Sequence, residues 1–268
     1  MNSTPAPASE TSKHDFKDML FVRNPFDEIE LDGIDGEGVE DDLQGWGSNN
    51  GAFRHVITAL RPTTIIELGT WKGASAIHMA RLCRELGIGA QILCIDNFIG
   101  FPSYYFRKEQ AAKEFKLKGG FPRLYWTFMK NVVTAGVSDM ITPLVQMTDH
   151  GAQICKAKRI SADLIYVDGD HSYEGCRKDL ANFTPVLAEG GVFLCDDFQW
   201  EGARRAIDEY IAETGCDYAI AGNKALLSPK RDISEVKAIF ETIAKKHAAF
   251  QERKAAQAAG ENRPDTDG

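Results

Sequence analysis

The chain has 268 residues, a formal net charge of −8 and 43% hydrophobic residues, which is typical of a globular protein with one large domain or at most two small ones. The acidic balance argues against a nucleic-acid-binding surface, which usually needs a basic face. The six cysteines are scattered without a C-x-x-C pair, which argues against structural zinc and a disulfide framework.

The two ends of the chain are predicted to lie outside the folded domain, which we place at residues 51–246. Residues 1–15 are rich in Ser, Thr, Pro and Ala and are predicted to be disordered. Residues 16–50 form an acidic, glycine-punctuated, lid-like segment, and residues 247–268 a fraying helix and a disordered tail. The N-terminus shows no signal-peptide pattern, and no apolar run approaches the roughly 20 residues of a membrane span. We therefore expect a cytoplasmic protein without membrane association.

Apolar strands alternate with helical segments through the predicted domain. Strands are predicted at 63–68, 91–98, 140–147, 162–168 and 190–198, helices at 74–86, 124–136, 173–187 and 202–214, and a closing hairpin at 216–222 and 224–229. The strands are uniformly apolar, which is typical of a parallel sheet covered on both faces. The pattern predicts an α/β, doubly wound sheet, in which ligands bind beyond the carboxyl ends of the strands.

The first strand is followed by a glycine turn, ELGTWKGAS. Gly69 permits a sharp turn and Gly73 close packing, and the following helix N-terminus offers free N–H groups to an anionic or polar ligand. Trp71 occupies the second glycine of the dinucleotide pattern G-x-G-x-x-G, which argues against an NAD-dependent oxidoreductase. Glu67, at the strand end, suits a cationic cofactor. A plain strand–helix connection is the alternative.

Acidic residues end three further strands. Asp96 follows the second strand, where a carboxylate can accept both hydroxyls of a ribose or serve as a turn residue. Asp168 ends the fourth strand, and Asp196 and Asp197 end the fifth. Ends of adjacent parallel strands lie roughly 5 Å apart, so these carboxylates would repel one another. A hard cation such as Mg²⁺ would remove that repulsion, whereas substrate contacts are the alternative role.

The motifs IIELGTWKGAS, ILCIDNF, DLIYVDGDHSYEGCRKDL and GGVFLCDDF together resemble the class I S-adenosylmethionine-dependent methyltransferases, over roughly residues 50–228. They are most similar to the metal-dependent O-methyltransferases of the catechol, caffeoyl-CoA and macrolide-sugar types. The resemblance implies a Rossmann-like, seven-stranded sheet of order 3-2-1-4-5-7-6 with an antiparallel last strand. It also implies O-methylation of a small-molecule acceptor, such as a sugar or phenol. Such enzymes often form homo-oligomers, although no residue here indicates one.

The resemblance also assigns roles to individual residues. The residues it implies for binding S-adenosylmethionine are Glu67, Gly69, Thr70, Gly73, Ser75, Asp96, Asn97, Thr148 and Asp149. Asp168, Asp196 and Asp197 correspond to the ligands of Mg²⁺. The family often has Asn at the second position of the Asp196–Asp197 pair, and Asp197 still supplies oxygen there.

Asp168 and His171 are the candidate catalytic residues. His171 lies three residues past Asp168, and the unperturbed pKa of histidine is near neutrality, which suits a general base. The macrolide-sugar enzymes place His at this spacing, whereas the catechol type places Lys. A loop histidine is the alternative for His171, and Asp170 and Ser172 are predicted to cap the next helix. A metal-independent methyltransferase and a methyltransferase-like binding module remain alternative functions.

The segment 99–126 is an aromatic and basic insert after the second strand. It is predicted either to cover the substrate, with charge that suits an acidic acceptor, or to form an ordinary surface helix. Trp46 is predicted to close over the site from the N-terminal side.

Overall fold

A computed structural model describes residues 10–11, 15–27, 42–229, 232–242 and 245. Its centre is a seven-stranded sheet of β1 (Thr64–Leu68), β2 (Gln91–Asp96), β3 (Ile141–Val145), β4 (Ala162–Val167), β5 (Leu187–Cys195), β6 (Asp217–Ala221) and β7 (Lys224–Ser228). The strand order is β3-β2-β1-β4-β5-β7-β6. Strands β1 to β5 are parallel, and β7 is antiparallel to both neighbours. The predicted order and the antiparallel last strand are confirmed.

Helices cover both faces of the sheet. They are α1 (Phe16–Leu20), α2 (Gly51–Leu60), α3 (Ala74–Glu85), α4 (Pro102–Tyr105), α5 (Lys108–Phe115), α6 (Leu124–Thr134), α7 (Thr148–Ala157), α8 (Tyr173–Phe183) and α9 (Glu201–Thr214). Helices α2, α3 and α6 supply one apolar cluster, which includes Phe53, Ile77 and Phe128. Helices α1, α7, α8 and α9 supply the other, which includes Leu180 and Ile207. Burial from both sides explains the uniformly apolar strands.

The largest boundary differences from the sequence prediction lie at α8 and β5. The helix predicted to reach residue 187 ends at Phe183 and passes into a 3-10 turn, Thr184–Val186, because Pro185 cannot continue the α-helical hydrogen bonds. Strand β5 begins at Leu187 rather than at residue 190. Gly191 therefore lies within the strand, where a Cβ would meet the Ala162 carbonyl at 2.6 Å.

The insert after β2 folds as two short helices, α4 and α5, followed by the beginning of α6. Near the N-terminus, Glu10–Thr11 pairs in parallel with Ile88–Gly89. The acidic stretch 28–41, the tail 246–268 and residues 1–9 and 12–14 lie outside the described residues. Among the helices that are described, none is long and apolar enough to cross a membrane.

Candidate active site

A cavity of about 650 Å³ opens at the carboxyl ends of β1, β2, β4 and β5. Ten of the residues predicted from the sequence line it: Gly69, Thr70, Ser75, Asp96, Asn97, Thr148, Asp168, His171, Asp196 and Asp197. The parallel strands bring these residues together because their carboxyl ends meet at one edge of the sheet.

Asp96 holds the glycine turn in place. Its Oδ2 accepts hydrogen bonds from the backbone N–H groups of Thr70 and Trp71, each at 2.9 Å. Gly69 has a left-handed φ of +79°, and a Cβ there would lie 2.3 Å from the Asp168 carbonyl. The turn after β1 is thus fixed on one side by β2 and packed on the other against the end of β4.

Glu67 is fully buried behind this turn. Its carboxylate accepts hydrogen bonds from the Thr70 hydroxyl at 2.8 Å and from the Ser75 hydroxyl. Burial raises the pKa of Glu67 to about 7, although these two hydrogen bonds act in the opposite direction. Glu67 therefore fixes the side chains of Thr70 and Ser75, which both line the cavity.

Thr148 and Asp149, which the resemblance assigned to the cofactor, lie in different environments. Thr148, the first residue of α7, lines the cavity and donates its hydroxyl hydrogen to Asp179 at 2.6 Å. Asp149 is exposed on the surface and accepts from the backbone N–H of His150. Burial raises the pKa of Asp179 to about 6. Thr148 is therefore the member of this pair that a ligand in the cavity can reach.

Asp168, His171 and Asp197 form a compact cluster, with one ligand atom of each residue within 4.8 Å of the others. His171 Nδ1 lies 2.7 Å from Asp197 Oδ2. Burial lowers the pKa of His171, but the hydrogen bond and charge of Asp197 outweigh it, so the pKa is raised. Asp197 shows the reverse balance: burial raises its pKa, and hydrogen bonds from His171 and Asn223 leave that pKa lowered. The two residues therefore favour an ion pair.

Asp196 is not part of this cluster and pairs with a buried lysine. The Lys224 ammonium, 1% exposed, contacts Asp196 Oδ2 and donates to the Tyr166 hydroxyl oxygen at 2.7 Å. The Tyr166 hydroxyl lies 2.7 Å from Asp196 Oδ2 and 3.1 Å from Asp168 Oδ2. Burial and the charge of Asp196 raise the pKa of Asp168 well above its ordinary value. Of the predicted carboxylate trio, Asp168 and Asp197 thus share a cluster with His171, and Asp196 is paired with Lys224.

Sequence reasoning missed Lys224, Tyr166 and Asn223. Asn223 donates its side-chain N–H groups to Asp196 Oδ1 at 3.0 Å and Asp197 Oδ1 at 2.9 Å. The available signal was a lysine that opens the otherwise apolar segment KALLS. It becomes informative only once β7 is known to pair with β5.

Aromatic side chains flank the acidic cluster. The Phe101 ring stacks on His171 with centroids 5.6 Å apart, and the Trp200 ring lies 6.1 Å from His171 on an inclined plane. Trp46 also lines the cavity and is 65% exposed. The basic residues Arg107 and Lys113 of the insert are exposed. The insert therefore presents aromatic groups to the cavity.

Comparisons with known proteins agree with this fold. Residues 66–198 match the family described as "Methyltransferase domain". A cofactor-bound structure of Rv0187 from MTB superposes with a TM-score of 0.53 and 17% identity, covering 81% of this chain and 95% of that chain. The O-methyltransferase TomG from Streptomyces achromogenes, in complex with SAM, gives a TM-score of 0.50 and 12% identity, covering 70% and 81%. At these identities the superpositions show a shared fold. No curated protein sequence gave a significant match.

Proposed function

We propose that this chain, whose residues 66–198 match a methyltransferase domain, is a class I S-adenosylmethionine-dependent methyltransferase that methylates a hydroxyl group of a small acceptor, such as a sugar or a phenol, with Mg²⁺ at the acidic cluster. One observation carries the proposal. A single cavity is lined both by the glycine turn and by the Asp168–His171–Asp197 cluster, as transfer between a cofactor and a hydroxyl acceptor requires.

The glycine turn fits the amino-acid end of S-adenosylmethionine. The N-terminus of α3 offers N–H groups to a carboxylate, and Thr70 and Ser75 present hydroxyls held by Glu67. Asp96 fixes the backbone of the same turn. When bound, S-adenosylmethionine supplies an electrophilic methyl group on a sulfonium ion. Its positive charge suits the carboxylates that surround this cavity.

The acidic cluster fits a divalent cation. Asp168 and Asp197 offer the carboxylate oxygens that Mg²⁺ prefers, and Lys224 offsets the charge of the neighbouring Asp196. Imidazole suits other metals better, so we assign His171 to proton transfer and the two carboxylates to metal binding. When bound, Mg²⁺ lowers the pKa of a coordinated hydroxyl.

His171 is the proposed general base. In the neutral imidazole, Nδ1–H donates to Asp197, which leaves Nε2 to accept the proton of the acceptor hydroxyl. The Phe101 and Trp200 rings beside His171 offer flat apolar surfaces against which a sugar or phenol ring can pack.

The 2.7 Å contact between His171 and Asp197 also favours a second candidate function. A histidine oriented by a carboxylate can act as a base without a metal. Metal-independent methyl transfer, with Asp168 as a substrate contact, is therefore the competing mechanism.

Calorimetric titration with S-adenosylmethionine, in the presence and absence of Mg²⁺, tests the proposal. Wild type, Asp197→Asn and the surface control Asp208→Asn should be compared. Cofactor binding with a Mg²⁺ response that only Asp197→Asn loses would support the metal-dependent enzyme. Binding without any Mg²⁺ response would favour the metal-independent mechanism. Absence of cofactor binding by the wild type would contradict methyl transfer.

A further inference from the structure

Lys72 lies within the glycine turn, yet its side chain is fully buried. Its ammonium nitrogen is 2.6 Å from Asp42 Oδ2, 2.8 Å from Gln44 Oε1 and 3.0 Å from Glu114 Oε2. A lysine has three N–H donors, and these contacts use all three. Burial of a charge is costly unless it is paired and hydrogen-bonded. The buried ammonium of Lys72 is therefore stabilised by Asp42, Gln44 and Glu114.

The three partners belong to the two segments that cover the cavity. Asp42 and Gln44 lie in residues 42–48, here termed the N-terminal cover, which contributes Gln44 and Trp46 to the cavity wall. Glu114 lies on α5, in residues 99–115, here termed the insert cover, which contributes Phe101 and Tyr104. One ammonium group thus joins both covers to the turn predicted to bind the cofactor.

Contacts of Asn131 and Trp71 also join the glycine turn to the two covers. Asn131 donates from Nδ2 to the carbonyl oxygens of Asp42 at 2.9 Å and Lys72 at 2.8 Å. The Trp71 ring stacks on Tyr104 at 5.5 Å and meets Phe115 edge-on at 5.9 Å. The turn is therefore attached to the N-terminal cover by polar contacts and to the insert cover by both polar and aromatic contacts.

We infer that Lys72 is a positioning residue that holds the N-terminal cover and the insert cover over the cavity, so that the binding of cofactor at the turn and the closure of the acceptor side are coupled. The inference rests on the proposed function for the identity of the cofactor. Loss of the ammonium would remove the cation that lies within 3.0 Å of both Asp42 and Glu114, and it would leave Asp42 with the more distant Lys116 ammonium at 3.9 Å. Repulsion between the Asp42 and Glu114 carboxylates would separate the two covers.

Hydrogen–deuterium exchange, together with calorimetric affinity for S-adenosylhomocysteine, tests this role in wild type, Lys72→Met and Lys72→Arg. Lys237→Met is the matched control, because Lys237 pairs with Asp217 at 2.8 Å on the surface. In Lys72→Met we expect exchange in both covers to rise, and the affinity for S-adenosylhomocysteine to fall, by about tenfold each. Strands β1 and β4 should keep their protection, and Lys72→Arg should retain both properties of the wild type.

Unchanged exchange in the covers of Lys72→Met would overturn the inference, and so would an equal loss of protection in β1 and β4. If Lys72→Met does not fold, Glu114→Gln replaces it, with faster exchange expected in the insert cover alone; no change there would count against the inference. Failure of the wild type to bind S-adenosylhomocysteine would instead contradict the proposed function, while the exchange comparison would still decide the role of Lys72.

Discussion

His171 Nδ1 and Asp197 Oδ2 lie 2.7 Å apart, across a contact that joins the loop after β4 to the end of β5. Gly202, at the beginning of α9, supports this contact, because a Cβ there would approach the His171 carbonyl oxygen to 2.7 Å. The imidazole is therefore oriented by a carboxylate and by the packing of a helix. Both constraints fix the orientation of the ring and leave Nε2 as the nitrogen available for proton transfer.

Replacement of His171 by Gln should lower kcat by about 10² to 10⁴-fold, the usual contribution of a general base, and leave S-adenosylmethionine affinity unchanged. Turnover with an acceptor found by screening, together with cofactor calorimetry, measures both effects. His150→Gln is the control, because His150 is an exposed histidine. Wild-type turnover in His171→Gln would eliminate His171 as the base.

Gly69→Ala should destabilise the protein more than Gly136→Ala. Both glycines have left-handed backbones, with φ of +79° and +69°, but only at Gly69 would the new Cβ meet a carbonyl, at 2.3 Å. Gly136→Ala should cost about 1–2 kcal/mol from backbone conformation alone, and Gly69→Ala about 1–3 kcal/mol more from the steric clash. Urea unfolding measures the difference. Equal losses would show that the turn can move away from Asp168.

Glu67 should make folding stability depend on pH. Its pKa is about 7 when folded, against an ordinary value of 4.5, so between these values the folded state retains a proton that the unfolded state has released. The free energy of unfolding should therefore fall from pH 4.5 to 7, by about 3 kcal/mol, and level off above pH 7.

Chemical denaturation of wild type and Glu67→Gln across this range measures the effect of Glu67 as the difference between the two curves. Glu189→Gln, at an exposed site, should reproduce the wild-type dependence. If the free energy of unfolding of Glu67→Gln falls with pH as steeply as that of the wild type, the pH dependence arises from other groups.

Lys224→Met should destabilise the fold by about 3–5 kcal/mol, because it leaves Asp196 buried without its cation. Lys237→Met, which breaks a half-exposed pair, should cost no more than about 1 kcal/mol. The double variant Lys224→Met/Asp196→Asn should recover part of the lost stability, since it removes both charges. Thermal unfolding distinguishes these cases, and a double variant less stable than Lys224→Met would refute the charge-pair explanation.

Local sequence patterns were sufficient to predict the parallel strands and the helices between them, whereas the strand order of the sheet was implied by the family resemblance. Apolar runs gave β1 to β5, and Gly69 indicated the sharp turn after β1, because both signals reside in a few consecutive residues. The acidic strand ends at Asp168 and Asp197 were predicted to converge because parallel topology places them at one edge. Each of these predictions needed only short-range pattern and a rule of sheet geometry.

The remaining features depend on contacts between distant parts of the chain. Lys224 donates to Tyr166 across 58 residues of sequence, and Lys72 contacts Asp42 and Glu114 across 30 and 42 residues. No periodicity or spacing encodes such pairings, since they arise from packing. For the same reason the sequence grouped Asp196 with Asp197, although adjacent residues leave a strand end in different directions.

The pairing of Lys224 with Asp196 has a consequence for biosynthesis. The two residues are 28 positions apart, and β7 reaches β5 only by turning back from β6 at the sheet edge. On the ribosome, the carboxylate of Asp196 is therefore made before the ammonium group that compensates it. A nascent chain or truncated product ending before residue 224 contains every strand of the parallel sheet, yet lacks the counterion for its buried carboxylate. The site can mature only when the final hairpin docks.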